Sequence, residues 1–66
     1  MTYILEHHGT SGRWYPIDDG IPSMFDALTL AEDIHAEGYG VRIVRDDGSV
    51  AMSAPNQEPI DWSVAR

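Results

Sequence analysis

Polar and apolar positions alternate along residues 2–8, which is the spacing of a β-strand. Residues 13–17 also have the composition of a strand, and Pro16 indicates a sheet edge because proline cannot donate to a β ladder. The polar residues 9–12 between the two segments have hairpin length. The pattern therefore predicts an antiparallel hairpin whose second strand ends at residues 18–22.

A helical period then replaces the alternation. Ser23, with Asp26 three residues later, forms an acidic variant of the capping box, so a helix should begin at Met24. Gly38 suits the left-handed conformation that often ends a helix. The predicted helix, residues 24–37, is about 21 Å long at 1.5 Å per residue. Its apolar stripe at helical spacing consists of Met24, Ala27, Leu28, Ala31, Ile34 and His35.

A second hairpin is predicted from residues 41–45 and 49–53, which are rich in β-branched residues and flank Asp46, Asp47 and Gly48. An Asp-Gly pair between such segments is a strong local signal for a hairpin turn. The order ββαββ predicts an α+β fold, with a four-stranded antiparallel sheet and one helix packed on one of its faces. The local pattern leaves the order of the strands within the sheet open.

Residues 1–53 are predicted to form a single ββαββ domain, and residues 54–66 an extended C-terminal tail. One helix covers only one face of a sheet, so alternation leaves apolar side chains on the second face. Two explanations stay open. Either the tail, led by Ile60 and Trp62, docks over that second face, or the face and Trp62 together form a homodimer or partner surface.

Charge narrows the range of partners. The chain carries eleven Asp and Glu residues against four Arg and no Lys, giving a formal net charge of −7. Anionic lipid and nucleic acid both bind clustered basic side chains and repel an acidic surface, so direct binding of this chain to either is not expected. The absence of cysteine excludes disulfides, thiolate zinc sites and thiol catalysis. No apolar run approaches the roughly 20 residues of a membrane span, and a cytoplasmic location is the expectation.

The residues with catalytic or metal-binding chemistry do not form a known motif. His7 and His8 are adjacent on a strand and point to opposite faces, so they cannot share one ion without a bulge. No glycine-rich phosphate loop is present either. We therefore expect a protein that is not an enzyme and uses no cofactor or metal. The alternative is a small-molecule or metal-binding protein built around His7, His35 and Asp18.

The acidic face of the predicted helix is the strongest functional signal, and the alternative is a solvated face whose charge only keeps the protein soluble. Its last turns carry Glu32, Asp33 and Glu37, where the helix dipole favours cations. The helix rises about 16 Å from Asp26 to Glu37 with four carboxylates, whereas duplex DNA carries about ten charges over that length, so any DNA mimicry is partial. The expected partner-binding residues are Asp26, Glu32, Asp33 and Glu37 on the helix, supported by Asp18, Asp19, Asp46 and Asp47, with Phe25 as an apolar anchor.

The segments 14–17, 24–27, 41–44 and 47–48, together with Ala31, resemble small acidic ββαββ proteins encoded by bacteriophages and prophages. The likeness covers the chain before the tail. Proteins of this kind resemble inhibitors of host defence, including anti-CRISPR proteins that occupy the DNA-binding surface of a host complex. The resemblance implies a phage-encoded inhibitor in the bacterial cytoplasm that binds a basic surface of a host nucleic-acid-binding protein. The alternatives are a homodimeric structural or regulatory module and an antitoxin-like partner of a basic protein.

Overall fold

Four antiparallel strands and one helix form the fold, and the computed structural model describes residues 1–9 and 12–65. The elements follow one another in the order ββαββ, and a short C-terminal 3₁₀ helix follows them, so the predicted α+β fold is confirmed. The sheet has the order β2-β1-β3-β4. The elements are β1 (Tyr3–His8), β2 (Tyr15–Ile21), α1 (Met24–Ala36), β3 (Gly40–Arg45), β4 (Val50–Ala54) and the 3₁₀ helix (Trp62–Ala65).

The two hairpins join through their first strands. β1 pairs with β3 along its whole length, from Tyr3 opposite Arg45 to His8 opposite Gly40, without a shift in register. β1 and β3 therefore occupy the centre of the sheet, and β2 and β4 form its two edges. The local pattern could not predict this strand order, because the order depends on pairing between segments far apart in sequence.

The second strand differs from its prediction. It was predicted over residues 13–17, ending at residues 18–22, but β2 runs from Tyr15 to Ile21 and includes both aspartates. Two register shifts against β1 each add one residue to β2, and Gly20 has a positive φ of 63° within this stretch. Bulges of this kind are common in edge strands, where a polar residue can point to water. Thr10 and Ser11 of the predicted hairpin loop lie outside the described residues.

The helix follows its local signals closely. The Ser23 hydroxyl accepts a hydrogen bond from the backbone N–H of Asp26 at 3.1 Å, which confirms the predicted cap. α1 ends at Ala36 with Glu37 as the capping residue, one residue earlier than predicted. Gly38 follows with φ of 100° and donates to the carbonyl of His35 at 3.0 Å, as expected of a left-handed glycine after a helix.

The core lies between α1 and one face of the sheet. Its buried apolar residues come from every strand and from the helix: Leu5, Ile21, Ala27, Leu28, Ala31, Val41, Ile43, Met52 and Ala54. Two of the three helix residues in this core, Ala27 and Ala31, have small side chains, which favour close packing of α1 on the sheet. The β3–β4 turn is present as predicted, with the N–H of Arg45 donating to the carbonyl of Ser49 at 2.8 Å.

The tail follows α1 instead of crossing to the second face of the sheet. At its start, His35 Nε2 donates to the carbonyl oxygen of Pro55 at 2.9 Å, near the end of α1. At its end, the rings of Phe25 and Trp62 lie 5.9 Å apart, near the start of α1. Ile60, between these two points, packs against the core. The tail therefore runs antiparallel along α1 and fills one flank of the helix.

A polar and aromatic layer covers part of the second face. Arg42 Nε donates to Glu6 Oε1 at 2.7 Å, and its guanidinium lies 4.4 Å from the centre of the Trp14 ring. The rings of Trp14 and His8 are nearly perpendicular, with 4.3 Å between their centroids. Because these side chains partner one another, the second face is less apolar than simple alternation indicates.

Candidate binding site

The second flank of α1 is open. α1 packs over the central strands β1 and β3, and the tail fills the flank away from β2. On the β2 side, a cavity of about 320 Å³ lies between the helix and the edge strand. We call this cavity the groove, and its lining residues are Leu5, Ile17, Asp18, Leu30, Asp33 and Ile34.

The groove combines an apolar floor with two acidic walls. Leu5 is part of the buried core and forms the bottom, whereas Ile17 and Leu30 are 40% and 38% exposed on its two sides. Asp18 belongs to the strand wall and Asp33 to the helix wall. A ligand here would meet aliphatic surface below and a carboxylate on each side.

The helix wall continues as a stripe along α1. Asp26, Leu30, Asp33 and Glu37 are spaced i, i+4, i+7 and i+11, so they share one face of the helix. All four are exposed. We call Asp26, Asp33 and Glu37 the acidic stripe. It spans about 16 Å and brings together three of the four helix carboxylates predicted to bind a partner.

The two remaining predicted helix residues lie elsewhere. Glu32 and Phe25 are seven positions apart and share the flank that faces the tail. The Phe25 side chain is 62% exposed, and its ring contacts Trp62. Neither residue lines the groove. The predicted homodimer surface is also divided, because Trp62 lies beside α1 while the second sheet face is on the opposite side of the molecule.

The predicted loop carboxylates are in three different settings. Asp19 borders a second hollow of about 280 Å³, which shares Ile17 and Asp18 with the groove. Asp46 accepts from the backbone N–H of Thr2 at 3.4 Å. Asp47 Oδ1 accepts from the N–H and the hydroxyl of Ser49 at 2.9 and 2.6 Å, and these hydrogen bonds lower the pKa of Asp47 below its usual value. Asp46 and Asp47 therefore shape the β3–β4 turn, away from the groove.

Two of the arginines are engaged away from the groove. Arg42 pairs with Glu6 on the second face of the sheet, and Arg45 donates to the hydroxyl of Ser49 at 3.1 Å. Within residues 1–9 and 12–65, no ion pair involves Asp18 or a carboxylate of the acidic stripe. These groups are therefore free to pair with cations of another molecule.

The histidines do not assemble into one cluster. The His7 ring lies 5.2 Å from the ring of Tyr39 and 6.3 Å from that of Tyr15, and its buried Nδ1 has no hydrogen-bond partner among the described residues. His35 is bonded to the tail. No group of three or more metal-ligating side chains occurs within the described part of the chain.

The two apolar sides of the groove, Ile17 and Leu30, were not predicted from the sequence. The spacing of Leu30 nevertheless places an apolar residue inside the acidic stripe. That interruption was the available signal. Ile17 belongs to the second predicted strand, but its position opposite Leu30 depends on where α1 crosses the sheet.

Comparison with known protein families, with curated proteins and with solved structures finds no match for this chain. Among the described residues, no helix has both the length and the apolar character needed to span a membrane.

Proposed function

We propose that this protein is a non-enzymatic binding module that occupies a basic surface of a nucleic-acid-binding protein. The observation that carries the proposal is the acidic stripe beside the groove, where Asp33 and Asp18 stand on two walls without an ionic partner among the described residues. Exposed carboxylates in such an arrangement steer and hold Arg and Lys side chains.

The spacing of the charges favours a protein partner. Three carboxylates over about 16 Å give far fewer charges than the roughly ten of duplex DNA over the same length. A faithful copy of a DNA backbone is therefore not the basis of binding. The stripe instead offers a few ionic contacts next to apolar surface, a combination that is common where protein partners meet.

Occupying such a surface would inhibit the partner, because the same Arg and Lys residues would otherwise bind phosphate groups. In the setting implied by the resemblance, the partner is a complex of bacterial defence and the protein is an anti-CRISPR-like inhibitor. An antitoxin-like role uses the same surface against a basic toxin. The identity of the bound protein distinguishes these two forms of the proposal.

The proposal is tested with a charge reversal and a matched control. Asp33→Lys and Glu32→Lys change the net charge equally and lie next to each other on α1, but only Asp33 lines the groove. The wild type and both variants are immobilised and used to capture proteins from a bacterial lysate. We expect the wild type and the Glu32→Lys variant to retain a nucleic-acid-binding protein at low salt, and the Asp33→Lys variant to lose it.

The captured protein is then purified and bound to the wild type in the presence of rising salt or of duplex DNA. Both should displace it, since salt screens the exposed charges and DNA competes for the same basic surface. Equal capture by both variants, or binding that duplex DNA leaves unchanged, would contradict the proposal. The predicted homodimer is tested in parallel by sedimentation of the wild type over a range of concentrations.

A further inference from the structure

We infer that the groove is a pocket for one apolar side chain of the partner. The recognised element is then a short segment in which an aliphatic or aromatic residue is flanked by Arg or Lys. This inference rests on the proposed function, since it assigns the part of the partner that the same surface binds.

The size and lining of the groove support a single inserted side chain. Its volume of about 320 Å³ is at the lower end of the roughly 300–1,000 Å³ range of small-molecule sites. Ile17 and Leu30 remain substantially exposed on either side of buried Leu5, so the cavity is open to the surface along its length. An open apolar cavity of this size accommodates a protruding side chain, which buries the surface that these residues expose.

The filled flank of α1 shows how this fold covers the equivalent space. On the side away from β2, the chain's own tail lies along the helix and packs Ile60 and Val64 against the core. Trp62 from the same segment contacts Phe25 on the helix. One flank is thus covered by a short segment bearing separated apolar side chains, and the flank over β2 is the same kind of site without its covering segment.

The carboxylates on the two walls of the groove favour a partner segment that carries positive charge. A residue inserted between Ile17 and Leu30 would bring its sequence neighbours close to Asp18 on one side and Asp33 on the other. Cationic neighbours gain from both carboxylates, whereas acidic neighbours are repelled. A second copy of this chain is a poor occupant because its net charge is −7. A basic partner segment fits both the floor and the walls.

The test uses capped pentapeptides that separate the apolar and ionic contributions. The sequences are Lys-Lys-Trp-Lys-Lys, Lys-Lys-Ser-Lys-Lys and Glu-Glu-Trp-Glu-Glu, each titrated into the ¹⁵N-labelled full chain and followed by NMR. We expect the Lys-Trp peptide to bind about tenfold more tightly than the Lys-Ser peptide, as the burial of a large side chain implies. The changes in chemical shift that the Lys-Trp peptide causes should be largest at Ile17 and Leu30. The Glu-Trp peptide should not bind.

A pair of variants ties the effect to the groove. Leu30→Ala removes apolar surface from the helix wall, whereas Val50→Ala shortens an exposed apolar side chain on β4, outside the groove. Only Leu30→Ala should weaken the binding of the Lys-Trp peptide. Equal affinity for the Lys-Trp and Lys-Ser peptides would overturn the pocket while leaving the acidic surface of the proposed function intact. Failure of both cationic peptides to bind would overturn both, and equal binding of the Glu-Trp peptide would remove the carboxylates from recognition.

Discussion

Gly40 shows how one residue can be fixed by a neighbour that is distant in sequence. It is buried at the start of β3 and lies directly opposite His8 of β1. A Cβ atom at this position would lie 2.5 Å from Nε2 of His8. A methyl group at position 40 would therefore require a shift of the His8 ring, which lies over this backbone and packs nearly perpendicular to the Trp14 ring. The local pattern of residues gives no hint of this, since it depends on the register between β1 and β3.

We expect Gly40→Ala to lower the free energy of unfolding by about 1–3 kcal/mol, the usual cost of overpacking a filled site. Urea denaturation of the single variants and of the double variant Gly40→Ala with His8→Ala measures the coupling between the two sites. In the His8→Ala background the alanine at position 40 should cost much less. An unchanged cost in that background would show that the His8 ring is not what excludes the methyl group.

The elements differ in how far their own sequences determine them. α1 carries its start and end signals within a few residues, in Ser23 and Gly38, and it forms within one residue of its predicted limits. The β3–β4 hairpin is equally local, because Asp47 and Gly48 make the turn. β2 was mispredicted because its two bulges are defined only by the residues of β1 opposite them. Bulged pairing lets an edge strand include residues that otherwise indicate a turn.

The cap of α1 gives a prediction at this scale. Ser23→Ala removes the acceptor for the N–H of Asp26, and we expect a loss of about 1 kcal/mol in the free energy of unfolding. Ser53→Ala is the control, because this serine is exposed on β4 and its hydroxyl has no partner among the described residues. Equal stability of the two variants in urea denaturation would contradict a stabilising role for the cap.

At the scale of the whole molecule, the sequence predicted the carboxylates of the candidate site but not its shape. The spacing of Asp26, Asp33 and Glu37 is visible in the helical period, whereas the groove exists because α1 lies over β1 and β3 and leaves most of β2 exposed. That placement depends on strand order and on the tail, which occupies only one flank of the helix. The strand order and the position of the tail both depend on contacts between residues far apart in sequence, so they cannot be predicted from a local pattern.

The small core makes the whole fold sensitive to one buried side chain. Leu28 is fully buried, and Leu28→Ala should cost about 2–5 kcal/mol, which is comparable with the roughly 3–5 kcal/mol of net stability that a core of this size supplies. We expect this variant to be largely unfolded at room temperature by circular dichroism and one-dimensional NMR. Leu30→Ala, on the exposed helix wall, should remain folded. A well-folded Leu28→Ala variant would contradict this account of the core.

The central position of β1 also has a consequence for how the chain is made. β1 is synthesised before the other three strands, but one of its two edges pairs with β3, whose first residue, Gly40, lies beyond the whole of α1. The flank of α1 away from β2 is covered later still, by the tail that follows β4 in the sequence. Until β3 has been translated, a growing chain on the ribosome therefore carries an unpaired edge of β1, and one flank of α1 stays uncovered until the tail has followed. The sheet can be completed only once β3 and β4 have been made.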